Sequence, residues 1–190
     1  DGRELPDDDR VIAVTDLKER IGSLADRFYH SPSRQLKVMA VTGTNGKTSI
    51  VELTRQLLQA VGLQAGSIGT LGSRLAGPPT EVRNTTPDCI TLHRQLRFWR
   101  DAGVDYVAME ASSHALDQRR LDGLAIDVAV FTNLSRDHLD YHHSMEAYCE
   151  SKLKLFRDFA SSVQIFNADD SLLSSQTDIW DRGSIGISFS

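Results

Sequence analysis

The chain is poor in the residues that build cross-linked, membrane-spanning or nucleic-acid-binding proteins. Among its 190 residues only Cys89 and Cys149 are cysteines, in no metal-type spacing. A thiol-based metal cluster is therefore excluded. A disulfide between the two is left open, and free thiols in a cytoplasmic protein are the expectation. No run of 18 apolar residues occurs, so no segment is long enough to cross a bilayer as an apolar helix. No signal-peptide pattern opens the sequence. A starting Met is missing too, and a chain that begins at Asp1 reads as an excised piece. Positive charge is in deficit, 21 Lys and Arg against 26 Asp and Glu, and the net charge of -5 argues against a nucleic-acid partner. What remains, 40% hydrophobic and 25% charged, is ordinary for a globular protein. This length makes one large domain, or one domain plus a remnant. There is no internal repeat and no low-complexity tract.

The most informative segment is Val41-Thr42-Gly43-Thr44-Asn45-Gly46-Lys47-Thr48. It follows an apolar run, Leu36 to Ala40, and leads into a helical pattern from Ile50 to Val61. Strand, glycine turn and helix are the setting of a phosphate-binding loop. Glycines let backbone N–H groups approach phosphate oxygens, and a helix N-terminus favours negative charge. Lys47 can reach the outer phosphates, and the Thr48 hydroxyl can bind magnesium. The generic pattern asks for a glycine where Val41 stands. The plainer reading is a glycine turn between two elements; Lys-Thr directly after Gly46 favours nucleotide binding over it.

Apolar and polar residues alternate in blocks along the rest of the chain. Asp1 to Arg10 reads as a linker or cut edge, and Val11 to Val14 as a short strand. Asp16 is expected to cap a helix with Glu19 as its capping-box partner, burying Leu17, Ile21, Leu24 and Phe28, with Pro32 as the stop. Strands are expected over Ala65 to Thr70, Val104 to Met109, Ile126 to Thr132, Val163 to Phe166 and Ile185 to Phe189. A Gly/Pro-rich tract runs to Pro79. Helices are expected from Pro87-Asp88 to Arg100 and from Met145 to Phe159, the latter capped by Ser144. This alternation predicts an α/β fold, a mainly parallel sheet with helices on both faces. In such sheets ligands collect beyond the carboxyl ends of the strands. Lys47, Glu110, Asn133 and Asn167 all fall at such ends.

Glu110, closing its strand, is placed to bind magnesium near phosphates; taken alone it is equally an exposed charge or a helix cap. The loop Asn133 to His143 holds three His and two Asp, which also fits a zinc hydrolase or a solvated polar loop. His138 is read as functional, His142 and His143 as bystanders. Lys152 looks by composition like a surface lysine. Asn84-Thr85-Thr86-Pro87-Asp88 offers hydroxyls and amides, or simply a helix cap. Asn167-Ala168-Asp169-Asp170 is by default a capped turn.

Together these motifs resemble the Mur ligases of peptidoglycan synthesis, and within them the branch of UDP-N-acetylmuramoyl-tripeptide synthetases. The carrying residues are Thr42 to Thr48, Asn84 to Thr86, Glu110 to His114, Asn133 to His142, Lys152 and Asn167 to Asp170. The likeness runs from about Asp16 to the end. Ser49 and Ala111 stand where Thr and Val are usual, changes that look tolerable. The resemblance implies an ATP-dependent amide ligase of the P-loop NTPase-like fold. It would add a diamino acid to UDP-MurNAc-L-Ala-D-Glu through an acyl phosphate. It implies Gly43, Thr44, Asn45, Gly46, Lys47, Thr48 and Ser49 around ATP, with Asn167 against adenine. Thr48 and Glu110 would hold one Mg2+. His138 would hold a second, with Lys152 carbamylated as its anionic partner. Asn84, Thr85, Thr86, Ser112, Gln118 and Arg120 would bind the substrate. Residues 1–30 would be a remnant of an N-terminal domain or junction, residues 31–190 the central ATP-binding domain, incomplete at its end. The N- and C-terminal domains would be missing, and the chain alone inactive. The stripe of the first helix would then be partly exposed. A folylpolyglutamate synthetase is the runner-up ligase. A nucleotide-binding module without catalysis is the alternative from another class, and the zinc hydrolase a third reading.

Overall fold

The computed structural model describes residues 8–75, 84–176, 178–180 and 183–188. Beyond Leu75 the Gly/Pro-rich tract lies outside the described residues, as do residues 1–7 of the expected linker and Phe189.

Seven strands form one sheet in the order β3-β2-β4-β1-β5-β6-β7. They are β1 Lys37–Thr42, β2 Ala65–Gly69, β3 Gly72–Arg74, β4 Tyr106–Glu110, β5 Val128–Phe131, β6 Val163–Asn167 and β7 Ile185–Ile187. All neighbours pair in parallel except β2 with β3. Parallel strands need crossover connections, and helices supply them. The helices are α1 Leu17–Phe28, α2 Lys47–Ala60, α3 Cys89–Asp101, α4 Ser113–Asp117, α5 Leu139–His142, α6 Met145–Arg157 and α7 Ser171–Ser174.

The two sheet faces are covered unequally. On one face Val38, Ala40, Ile68, Val107, Met109, Ala129 and Phe131 pack with Leu92, Leu96 and Trp99 of α3 and with Leu153, Leu155 and Phe156 of α6. On the other, Val51 of α2 packs on Val41, Ala108 and Val130, with Ile165 partly buried beside them. The register explains the sorting: Val41 lies opposite both Glu110 and Val130, and Ala40 opposite Met109 and Ala129. Paired residues share a face, so each row reads across the sheet.

β1 is central, flanked by β4 and β5. The chain reaches β4 on one side and then crosses β1 to β5 on the other. That reversal opens a crevice at the carboxyl end of β1, where α2 begins.

Three sequence expectations are corrected here. Val11 to Val14 form no strand, and Val11, Ile12 and Val14 are exposed. Asp16 does precede α1, but at a φ of 55° and with no side-chain cap bond; a capping side chain needs an extended backbone at that position. The stripe of α1 is not buried: Leu17, Leu24 and Phe28 are exposed, while Gly22, Ala25 and Asp26 are covered. α1 packs on α3 rather than on the sheet, so only its narrow side is hidden. The helix ends at Phe28. His30 and Ser31, both at positive φ, turn the chain before Pro32 opens a 3₁₀ turn.

Candidate functional site

Thr42 ends β1 and Lys47 starts α2, leaving four residues for the turn. Gly43 has a φ of +138°, and a Cβ there would overlap the Thr132 hydroxyl; Gly46 has a φ of +86° but open space around it. The first glycine answers a close approach, the second a left-handed backbone.

The loop is held from outside itself. Asn133, in the segment after β5, accepts the Asn45 N–H on Oδ1 at 3.0 Å and donates from Nδ2 to the Asn45 carbonyl at 3.2 Å. Its own carbonyl accepts the Thr44 N–H at 2.9 Å. Thr132 Oγ1 donates to the Asn45 carbonyl at 2.6 Å. The Ser135 N–H donates to Thr44 Oγ1 at 3.0 Å. The sequence marked Asn133 and Ser135 as part of a polar loop, not as a clamp; nothing in their spacing shows which loop they would reach.

Two lysines meet at this turn. Lys47 Nζ donates to the carbonyls of Gly43 and Thr44, each at 2.8 Å. Lys152 Nζ donates to the same Gly43 carbonyl at 2.8 Å. Lys152 is 1% exposed, so its reading as a surface residue is corrected. Its position on α6 could have warned of this, since Tyr148, Lys152, Leu155 and Phe156 recur at helical spacing and are all buried. Burial, and then the charge of Lys47, push the Lys152 ammonium down to about 7. Lys47 is also lowered by burial, against the pull of Glu110 and Asp137.

Glu110 faces the lysines from the end of β4 and is 1% exposed. Its Oε1 accepts the Thr48 hydroxyl at 2.9 Å and the Thr70 N–H at 2.8 Å. Thr86, fully buried, donates its hydroxyl to the Glu110 carbonyl at 2.8 Å and accepts the Ser112 N–H at 3.2 Å. Arg120 Nη1 donates to the Thr86 carbonyl at 2.9 Å, and Arg120 Nε to Gln118 Oε1 at 3.0 Å.

A polar hollow of 330 Å³ joins these groups. Thr44, Asn45, Gly46, Lys47, Thr48, Thr70, Thr85, Glu110, Ser112, Ser113, His138 and Lys152 line it. A larger hollow of 610 Å³ lies at the amino ends of β1, β4 and β5, away from the loop and without converging chemistry. Of the residues singled out in the sequence, Ser49 is exposed on the first turn of α2, Asn84 is exposed, and neither lines the polar hollow. Gln118 and Arg120 line a neighbouring groove with Lys18 and Tyr141. Asn167 ends β6, outside the hollow, and its Oδ1 accepts the Asp169 N–H at 3.0 Å.

His138 is at a φ of 51° and packs edge-on to His114, 4.9 Å between ring centres. His142, read as a bystander, is buried between Tyr141 and Tyr148, and burial lowers its pKa, as it does for His114. Among the described residues no three His, Cys, Asp or Glu side chains group as a metal site. The zinc-hydrolase constellation of His138, Asp140 and His142 is thus not assembled. The donors around the hollow suit magnesium better. A hydroxyl and a carboxylate are hard oxygen ligands, and Mg2+ draws its remaining ligands from water and phosphates.

A parallel sheet whose central strand runs through a glycine loop into a helix, facing a buried carboxylate, defines a phosphate-loop α/β domain. Residues 41–184 match the Mur ligase middle domain, and the chain belongs to the Mur ligase family. It is 49% identical over 167 residues to UDP-N-acetylmuramoyl-L-alanyl-D-glutamate--2,6-diaminopimelate ligase of Xanthomonas campestris pv. campestris (strain 8004), covering 88% of this chain and 34% of that protein. To the enzyme of that description from Pseudomonas aeruginosa it is 48% identical, covering 89% of this chain and 35% of the other. The chain thus spans about a third of the length of these curated relatives. A solved structure of such a ligase superposes with a TM-score of 0.79 at 34% identity, over 93% of this chain and 37% of that one. Folylpolyglutamate synthase of Mycobacterium tuberculosis, complexed with ADP and AMPPCP, gives 0.63 at 18% identity, over 88% of this chain and 46% of that one. That second likeness concerns the fold alone.

Proposed function

We propose that this chain is the ATP-handling centre of a cytoplasmic ligase that adds diaminopimelate to UDP-MurNAc-L-Ala-D-Glu in peptidoglycan synthesis. The observation that carries the reading is the convergence of Lys47, Thr48, Glu110 and Lys152 on one polar hollow at the end of the central strand. The relatives' described reaction supports the choice of substrates. In this reading residues 31–190 are the central domain and residues 1–30 the junction to an N-terminal one.

A carboxylate is a poor acyl donor, because its leaving group would be oxide. ATP supplies the remedy by phosphorylating the D-glutamate carboxylate; the carboxylate oxygen bonds to the γ-phosphorus as the bond to the ADP oxygen breaks. The amine of diaminopimelate then forms the C–N bond, phosphate leaves, and the amine proton is released. This chain contributes position and charge. Residues 43 to 49 receive the triphosphate, for which Lys47 exchanges its loop carbonyls for phosphate oxygens. Thr48 and Glu110 hold the first Mg2+. His138 and Lys152 hold the second, once Lys152 has become a carbamate. That change reverses the sign of a buried charge beside a metal. Asn84, Thr85, Thr86, Ser112, Gln118 and Arg120 bind the dipeptide substrate, with the Arg120 guanidinium suited to an anionic group. Asn167 meets adenine, its amide offering a donor and an acceptor.

Calorimetric titration of MgATP into the chain, with Lys47→Ala alongside, tests the reading. Binding that is lost in the variant supports it; equal binding by both removes Lys47 from the phosphate site. Complete ligation is expected to require the rest of the ligase, so turnover by this chain alone would overturn its place as one part of a larger enzyme.

A further inference from the structure

Tyr148 has no part in the reading above, yet it touches three pieces of the site at once. It lies one turn before Lys152 on α6 and is 1% exposed. Lys152 Nζ sits over its ring, 4.4 Å from the centre. Its hydroxyl lies 3.3 Å from Thr44 Oγ1 in the phosphate loop. Its ring meets those of His142 at 5.2 Å and His138 at 6.1 Å.

We propose that Tyr148 is a positioning residue that fixes the direction of the Lys152 head group and ties it to the phosphate loop through Thr44. The proposal rests on the reading of Lys152 as a carbamate. In carbamylation the Nζ lone pair forms a bond to the carbon of CO2, one C=O electron pair moves to oxygen, and a proton leaves to solvent. Nζ keeps a single N–H. In the present geometry that N–H has an acceptor, the Gly43 carbonyl, which leaves the carboxylate group on the other side of Nζ. The face of the Tyr148 ring is electron-rich. It attracts the ammonium form of Lys152 and repels a carbamate oxygen. The carbonyl and the ring face therefore close two directions to the new anion. The direction left is the hollow lined by Thr48, Glu110 and His138, where a metal would meet it. The hydroxyl adds the link to Thr44, which is itself held by Ser135.

The alternative, a tyrosine that only fills the core, predicts that loss of the ring changes stability and nothing else. The full chain, loaded with 13C-bicarbonate both with Mg2+ and in metal-free buffer, is followed by the 13C resonance of the lysine carbamate. Tyr148→Phe keeps the ring face, and half-occupancy is expected at the wild-type bicarbonate concentration. The same variant loses the contact to Thr44 and is expected to bind MgATP about threefold to tenfold more weakly, the range for one hydrogen bond. Tyr148→Leu removes the face: in metal-free buffer the ammonium loses its cation–π partner and the carbamate its repulsion, and the bicarbonate requirement is expected to fall about tenfold, the scale of a buried cation–π contact. Tyr148→Met serves the same purpose if the Leu variant does not fold. A folded Leu or Met variant with wild-type carbamate occupancy would overturn the proposal and leave the Lys152 reading intact. A Phe variant whose bicarbonate requirement falls as far as the Leu variant's would also overturn it. No resonance in the wild-type chain would remove the Lys152 reading itself.

Discussion

Lys152 makes the stability of this domain depend on pH in a direction that can be worked out beforehand. Its ammonium is buried, bonded to one carbonyl and close to the charge of Lys47, and its pKa falls from 10.5 to about 7. In the unfolded chain it holds its proton until near the ordinary value. Between those two values the unfolded state binds more protons than the folded one, so stability rises with pH. Below about 7 both states are protonated and the full cost of burying the charge is paid. From pH 7 to 8.5 the linkage returns about 1 to 2 kcal/mol, at roughly 1.4 kcal/mol per pH unit and allowing for half-protonation at the start. The two thiols work the other way. Burial raises Cys89 to about 11 and also raises Cys149, so in more alkaline solution the unfolded state loses their protons first and stability falls. The perturbation is therefore Lys152→Met, which keeps the length and the thiols and removes the charge. Denaturant unfolding of both proteins in metal-free, CO2-depleted buffer at pH 7, 7.5, 8 and 8.5 gives their difference in stability. The variant is expected to be the more stable at pH 7, with its advantage shrinking by about 1 to 2 kcal/mol by pH 8.5. A difference that stays constant across this range would show that Lys152 is not titrating there, and the argument from its burial would fail.

Two further outcomes follow from the loop. Gly43→Ala places a methyl group against Thr132 at an unfavourable φ, whereas Gly46→Ala meets open space; thermal unfolding is expected to show the first costing at least about 2 kcal/mol and the second about 1 kcal/mol, and equal costs would contradict the close approach. Asn133→Ala removes both side-chain bonds to Asn45, and MgATP titration is expected to show binding weakened about tenfold, at about 1 kcal/mol or less per bond; unchanged affinity would mean that the loop keeps its shape without them.

The sheet was legible because its strands are apolar blocks separated by helices long enough to show a period. α2, α3 and α6 begin within three residues of their expected starts, and Ser144 does accept the Ala147 N–H as a cap. The four- and five-residue helices α4, α5 and α7 left no periodic trace; elements that short are set by what surrounds them. β3 passed unread for the same reason. Asp16 carried the letters of a cap but not the backbone for one. The phosphate loop and Glu110 were readable as chemistry at strand ends. The burial of Lys152 does not show in its charge, only in its place on the stripe it shares with Tyr148 and Phe156. The encounter of Tyr148 with Thr44, or of Asn133 with Asn45, joins segments about 90 or more residues apart, and no local pattern encodes it.

The clamp from Thr132 to Ser135 has a consequence for anyone who would move this loop elsewhere. Residues 42 to 48 carry two glycines whose freedom is useful only because something else removes it. The amides of Thr44 and Asn45 and the Asn45 carbonyl find partners in the segment that follows β5, much later in the chain. Grafted onto another strand and helix, the same seven letters would be a supple tether, paying its ordering entropy each time an anion arrived. Here that cost is met once, when the sheet forms.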